Sequence, residues 1–91
     1  MNHMDSLDVS FNKAAHNVRG VTKRPSDATL LQLYALYKQA TVGPCTVPAP
    51  SIFDLKGQSK HSAWKQLGSM SKMEAKQRYI LLAESVMRDL A

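Results

Sequence analysis

A chain of 91 residues and 10.1 kDa can build one hydrophobic core but not two, so its function must lie on the surface or in the grooves of that core. Hydrophobic residues at 44% and charged residues at 21% exclude the composition of a disordered chain. Twelve Lys+Arg against seven Asp+Glu leave a net charge of +5, which favours anionic partners: nucleic acid, an anionic membrane surface or a phosphorylated small molecule.

The single cysteine, Cys45, cannot close an intrachain disulfide, and one Cys with scattered His gives no metal-ligand spacing. No apolar run approaches the roughly 20 residues that span a bilayer, and no basic-then-apolar leader opens the sequence. The expectation is a soluble, cytoplasmic single domain over residues 1–91, ordered from about 7 to 90.

In chain order, Phe11, Ala14, Ala15 and Val18 keep helical spacing from Leu7, with Ser6 as N-cap and Gly20 as the stop. Pro25-Ser26-Asp27 starts a second helix with its acid in the first turn, and Gly43-Pro44 ends it near Val42. The stretch GPCTVPAPSIFDLKG has no helical period and reads as a long connection crossing the fold. A short third helix is predicted from about Ser59 to Leu67, with Ala63, Trp64 and Leu67 inward and Gly68 as the stop. SKME, Ser71 to Glu74, matches a capping box and opens a long fourth helix. Its core stripe is Ala75, Tyr79, Leu82, Ala83, Val86 and Leu90. No strand pattern competes, so the fold class is all-α with four helices.

The second helix has more apolar surface than a core contact needs. At about 100° per residue, Leu30, Leu31, Leu33, Tyr34, Leu36 and Tyr37 cover roughly 220° of arc. A surface helix needs an apolar face of only about 100°. Tyr34, Tyr37 and Lys38, at i, i+3 and i+4, share one edge of that arc and place an aromatic platform beside a cation. Such an edge suits a ligand with a flat ring and a phosphate, its hydrocarbon part lying on the apolar remainder. The same spacing also fits two core-edge tyrosines and a snorkelling lysine. Spacing alone leaves both open.

Other cations carry the same ambiguity. Lys56 and Lys60 flank Gly57 near the start of the third helix, where free amides favour an anion, but a solvated helix end looks the same. Arg19 either meets a ligand or offsets the dipole at the end of the first helix. Lys65, Lys72, Lys76 and Arg78 read as ordinary solvated surface, and Tyr79 as core.

These motifs resemble the acyl-CoA-binding proteins. YALYKQATVG is similar to that family's segment on the second helix, and FDLKGQSKHSAWKQLGSMSKMEA to its third and fourth helices. The resemblance runs from FNKAAHNV to SVMRDL without insertion or deletion. It implies a four-helix up-down-down-up bundle with a long loop between helices 2 and 3. It also implies binding of medium- to long-chain fatty acyl-CoA esters, one per monomer, by an intracellular carrier and pool former that uses no cofactor or metal.

Residue by residue, the resemblance implies that Tyr34, Lys38 and Lys60 hold the ribose 3′-phosphate and that Tyr37 helps form the adenine site. Tyr79 contacts the nucleotide, Arg19 and Lys56 meet the ligand's head, and Leu31 lines the acyl groove. Phe11, Ala15, Val18, Tyr79, Ile80, Ala83 and Val86 match the packing of first helix on last, and Ala15 belongs to the ligand-binding set. The chain departs from the family at His61, where tryptophan is usual, in the proline-rich loop GPCTVPAPSIF, and in GSM before Ser71. Transient contact with membranes and acyl-CoA-using enzymes is the implied setting.

Catalysis is not expected. His3, His16 and His61 lie on separate segments, and no serine has an organised His-Asp partner in the pattern. Two other readings use the same residues: a basic helical module for nucleic acid, or a groove for a partner's amphipathic helix. The scatter of the cations, with no recognition helix dense in Arg, Asn and Gln, weighs against nucleic acid.

Overall fold

Each helix begins where a side chain takes up an amide that the helix cannot satisfy itself. Asp5 accepts from the Asp8 amide at 2.8 Å, Ser26 from Thr29 at 3.2 Å, Asp54 from Gly57 at 2.9 Å and Ser71 from Glu74 at 3.0 Å. The computed structural model describes residues 5–90, and His3 lies outside them. The helices are α1 (Ser6–Arg19), α2 (Asp27–Thr41), α3 (Leu55–Lys65) and α4 (Lys72–Leu90). Among the described residues there is no strand.

Two starts differ from expectation. The first N-cap is Asp5 rather than Ser6, which is already helical; one position earlier, a carboxylate takes the role assigned to the hydroxyl. Helix α3 begins at Leu55, one turn before Ser59, because Asp54 caps it and carries the helix through Gly57. A Cβ on residue 57 would lie 2.1 Å from Asp54 Oδ2, so the bare glycine lets the capping carboxylate fold in close. Of the expected capping box, the Ser71 half forms. The Glu74 carboxylate turns along α4 instead to Arg78, 2.9 Å away.

Short connections join α1 to α2 and α3 to α4, while residues 42–54 form the long loop that returns the chain between α2 and α3. This is the four-helix bundle expected from the sequence, in up-down-down-up order. Helix α4 packs against both α1 and α2, and α3 packs against α2. The core joins Phe11, Ala14 and Ala15 of α1, Leu33, Leu36 and Ala40 of α2, and Ala75, Tyr79, Ala83 and Val86 of α4. Val18 and Ile80 lie at its margin, so the first-on-last helix packing is as expected. The alanines let the helices approach closely, and Phe11, Tyr37 and Tyr79 fill the widest part as a ring cluster with centroids 5.1–5.9 Å apart.

Two polar devices fix what the apolar core does not. Gln39, fully buried on α2, donates through Nε2 to the carbonyls of Gly68 (3.0 Å) and Met70 (2.8 Å), tying the α3–α4 turn to α2. Trp64 is 4% exposed and donates through Nε1 to the Gly43 carbonyl at 2.9 Å. Gly43 ends α2 at φ +102°, a conformation that side-chain-bearing residues avoid, and its amide reaches back to the Gln39 carbonyl at 3.1 Å. Lys76, read from sequence as plain surface, is partly buried and pairs with Asp8 across the α1–α4 seam. No helix among the described residues is long and apolar enough to cross a membrane.

Candidate functional site

The apolar surplus of α2 is shared between two directions. Leu33 and Leu36 are buried in the bundle, whereas Leu30, Leu31 and Tyr34 are only partly covered and turn toward α3. There they meet Leu55, Lys56, Ser59 and Lys60 in a groove of about 570 Å³. That volume lies within the range of about 300–1,000 Å³ usual for small-molecule sites. Leu30, Leu31 and Leu55 make the apolar part. Lys56 and Lys60, four apart on α3, put two ammonium groups on one wall. Arg24, paired with Asp27 at 2.8 Å, stands at the rim.

The tyrosines of α2 diverge instead of forming one continuous platform. Tyr34 faces α3, and Lys60 Nζ lies 5.3 Å from its ring centroid. Tyr37 leans toward α1 and α4, stacking on Phe11 at 5.6 Å with the Arg19 guanidinium 5.6 Å from its own centroid. Lys38 extends along the loop side of α2, its Nζ 5.2 Å from the Trp64 ring. Each ring therefore carries one cation brought from elsewhere in sequence, an arrangement favoured by the negative face of the aromatic quadrupole. Of the Tyr34–Lys38 edge, Tyr37 is a core edge and Tyr34 borders an open groove.

The remaining site residues of the sequence reading sit deeper. Ala15 is 5% exposed and Tyr79 4%, which leaves little of either side chain for a ligand to touch. Burial raises the Tyr79 hydroxyl above its ordinary pKa, an effect that nearby Arg19 opposes and Tyr37 reinforces. The Gly57 amide at the α3 N-terminus is already taken by Asp54, so the anion-attracting groups on this side are mainly the Lys56 and Lys60 ammoniums.

The structure thus brings Leu31, Tyr34, Lys56 and Lys60 into one groove, and gathers Arg19, Tyr37 and Tyr79 beside it across the shared helix α2. Sequence reasoning missed Arg24, Leu55 and Ser59 as groove neighbours: Arg24 lies in a connection, Leu55 is the first residue of α3, and Ser59, expected to start that helix, sits in its second turn. It also missed Gln39, a polar side chain that lies outside the apolar arc, where nothing in the pattern signals burial. Among the described residues no cluster of His, Cys, Asp and Glu could hold a metal ion. A second groove of about 460 Å³ lies between α2, α3 and α4, lined by Leu36, Ala63, Leu67 and Met70; its rim cation, Arg78, is engaged by Glu74.

The family model "Acyl CoA binding protein" matches residues 8–83. The acyl-CoA-binding protein homolog of Drosophila melanogaster is 46% identical over 81 residues, covering 89% of this chain and 94% of that protein. Enoyl-CoA delta isomerase 2 of Rattus norvegicus is 43% identical over 83 residues; the match covers 91% of this chain but spans only 21% of that longer protein. The crystal structure of Oryza sativa acyl-CoA-binding protein 2 superposes with a TM-score of 0.88 at 38% identity, covering 92% of this chain and 93% of that one.

Proposed function

The chain belongs to the acyl-CoA-binding protein family, and from that membership we propose that it binds medium- to long-chain fatty acyl-CoA esters as a carrier and pool former. The observation that carries the reading is the groove between α2 and α3, where Leu30, Leu31 and Leu55 adjoin Lys56 and Lys60. An acyl-CoA presents the complementary pair of a hydrocarbon tail and a phosphorylated nucleotide.

In this reading Leu31 and its neighbours cover the acyl chain. Tyr34, Lys38 and Lys60 hold the ribose 3′-phosphate, with Lys60 leaving the Tyr34 ring to pair with it. Tyr37 forms one side of the adenine site with Arg19 close by, and Lys56 meets the rest of the head. Tyr79 and Ala15 act from behind, as the wall that keeps Tyr37 in place.

The division of labour follows from magnitudes. A palmitoyl tail offers on the order of 10 kcal/mol of transfer free energy at about 0.8 kcal/mol per methylene, an upper bound because the groove is open to solvent. A lysine–phosphate bond adds about 1.5–3 kcal/mol and selects the CoA ester over a free fatty acid. The tail sets affinity and the head sets identity.

The protein holds and releases its ligand without turning it over, acts as a monomer in the cytoplasm, and touches membranes and acyl-CoA-using enzymes transiently. The isomerase activity named for the longer relatives is not carried over, since this chain matches only 21% of such a protein. Nucleic acid is disfavoured because the cations are scattered over several segments and Arg24, Lys76 and Arg78 are paired with acids.

The test is a series of acyl-CoA esters of increasing chain length in titration calorimetry, with free CoA and free palmitate alongside. Affinity is expected to rise with each pair of methylenes and to be weak for palmitate. Equal binding of CoA and palmitoyl-CoA would overturn the proposal.

A further inference from the structure

The three most exposed large apolar side chains among the described residues are neighbours in sequence: Phe53 at 89%, with Ile52 and Leu55 both at 73%. Single exposed hydrophobics are ordinary, but a contiguous group calls for a partner. The turn that presents them is held by hydrogen bonds. Phe53 N–H donates to Ser51 Oγ at 3.1 Å, Asp54 N–H to the Ser51 carbonyl at 2.9 Å, and Gln58 Nε2 to that same carbonyl at 3.2 Å. The exposure of Ile52 and Phe53 is thus built into the backbone of the turn.

Position and charge say what the turn meets. It is a protruding tip rather than a trough. Leu55 belongs both to the exposed group and to the wall of the α2–α3 groove, so the tip is continuous with the groove mouth. Lys56 and Lys60 follow within the first turns of α3, and the one acid in the stretch, Asp54, has its carboxylate engaged by the Gly57 amide. An apolar tip flanked by lysines, on a chain of net charge +5, complements a surface with phosphates outside and hydrocarbon just beneath.

We propose that the Ile52–Leu55 turn docks the protein on an anionic lipid bilayer. Ile52 and Phe53 enter the boundary between headgroups and acyl chains, Lys56 faces the lipid phosphates, and the groove mouth opens at the membrane surface. The inference rests on the acyl-CoA carrier reading and deepens it: a chain leaving the bilayer enters the groove beside Leu55 without crossing bulk water.

The experiment is co-sedimentation of the ligand-free protein with vesicles of phosphatidylcholine alone and of two parts phosphatidylcholine to one part phosphatidylserine. The wild type and the Ile52→Ser/Phe53→Ser double variant are compared, and palmitoyl-CoA titration and far-ultraviolet circular dichroism are run on the same preparations. The wild type is expected to partition onto the anionic vesicles, more weakly onto the neutral ones, and to come off as salt is raised. The double variant should lose at least about tenfold in partitioning, with its helical signal and palmitoyl-CoA affinity retained.

Absence of wild-type partitioning onto anionic vesicles overturns the proposal and leaves the turn to a protein partner. Equal partitioning of the double variant also overturns it, since charge alone would then suffice. Failure of palmitoyl-CoA to bind would defeat the carrier reading separately, whatever the vesicles show.

Discussion

Lys60 Nζ stands 5.3 Å from the centroid of the Tyr34 ring, joining α3 to α2 across the mouth of the groove. The contact keeps an ammonium group beside an aromatic face without committing it to a carboxylate, so it can turn to a phosphate without first breaking an ion pair. Lys60→Ala is expected to weaken palmitoyl-CoA binding roughly ten- to hundredfold, the equivalent of losing one charged hydrogen bond. Binding of the 3′-dephospho ester should change far less. Titration calorimetry of both ligands against both proteins checks this, and equal losses for the two esters would remove Lys60 from the phosphate site.

His61 Nε2 donates to the Val47 carbonyl at 2.8 Å, pinning the long loop to α3. His61→Ala removes that bond at a partly exposed position and is expected to cost about 1 kcal/mol. For a domain this small, that lowers the melting temperature by about 4–8 °C. Thermal melts followed by circular dichroism give the number directly. An unchanged melting temperature would mean that the loop is held without the histidine.

Gln39 is a structural residue within α2, the helix that carries Tyr34 and Lys38. Replacing it with alanine opens a gap and strips two carbonyls, those of Gly68 and Met70, of their donor. A loss of about 2–4 kcal/mol in chemical denaturation is expected. Because the turn it holds leads into α4, the variant should lose stability first and ligand affinity only as a consequence.

Burial raises the Tyr79 pKa, which gives the fold a dependence on alkali. In the unfolded chain the phenol ionises at its ordinary value of 10.0, while in the folded protein it holds its proton to higher pH. The folded state therefore binds more protons above that value, and stability falls as pH rises. Below it, the contribution is constant. Tyr79→Phe should flatten this part of the pH–stability curve, measured by denaturation at a series of pH values from neutral to strongly alkaline. A curve of the same slope in the variant would assign the alkaline loss to other groups.

Helices α1, α2 and α4 were legible because each buries one stripe, so apolar periodicity and capping residues agree. Helix α3 was placed late because Leu55 is 73% exposed and Gly57 follows it, leaving no period to read; the Asp54 cap was the available signal. At the site, spacing found Tyr34, Tyr37 and Lys38 but could not find their partners. Lys60 over Tyr34 and Arg19 over Tyr37 are contacts between helices, set by packing. The resemblance supplied the rest of the expected set. Of that set, Ala15 and Tyr79 prove to be almost wholly buried, a distinction that residue type and spacing do not make.

The central claim is that the α2–α3 groove, together with Lys38, Tyr37 and Arg19 beside it, holds an acyl-CoA. Titration calorimetry of the wild type, Lys38→Ala and Tyr34→Phe with palmitoyl-CoA tests it most directly. Tight one-to-one binding by the wild type that weakens in both variants is expected. Absence of binding, or binding to which neither residue contributes, would contradict the account.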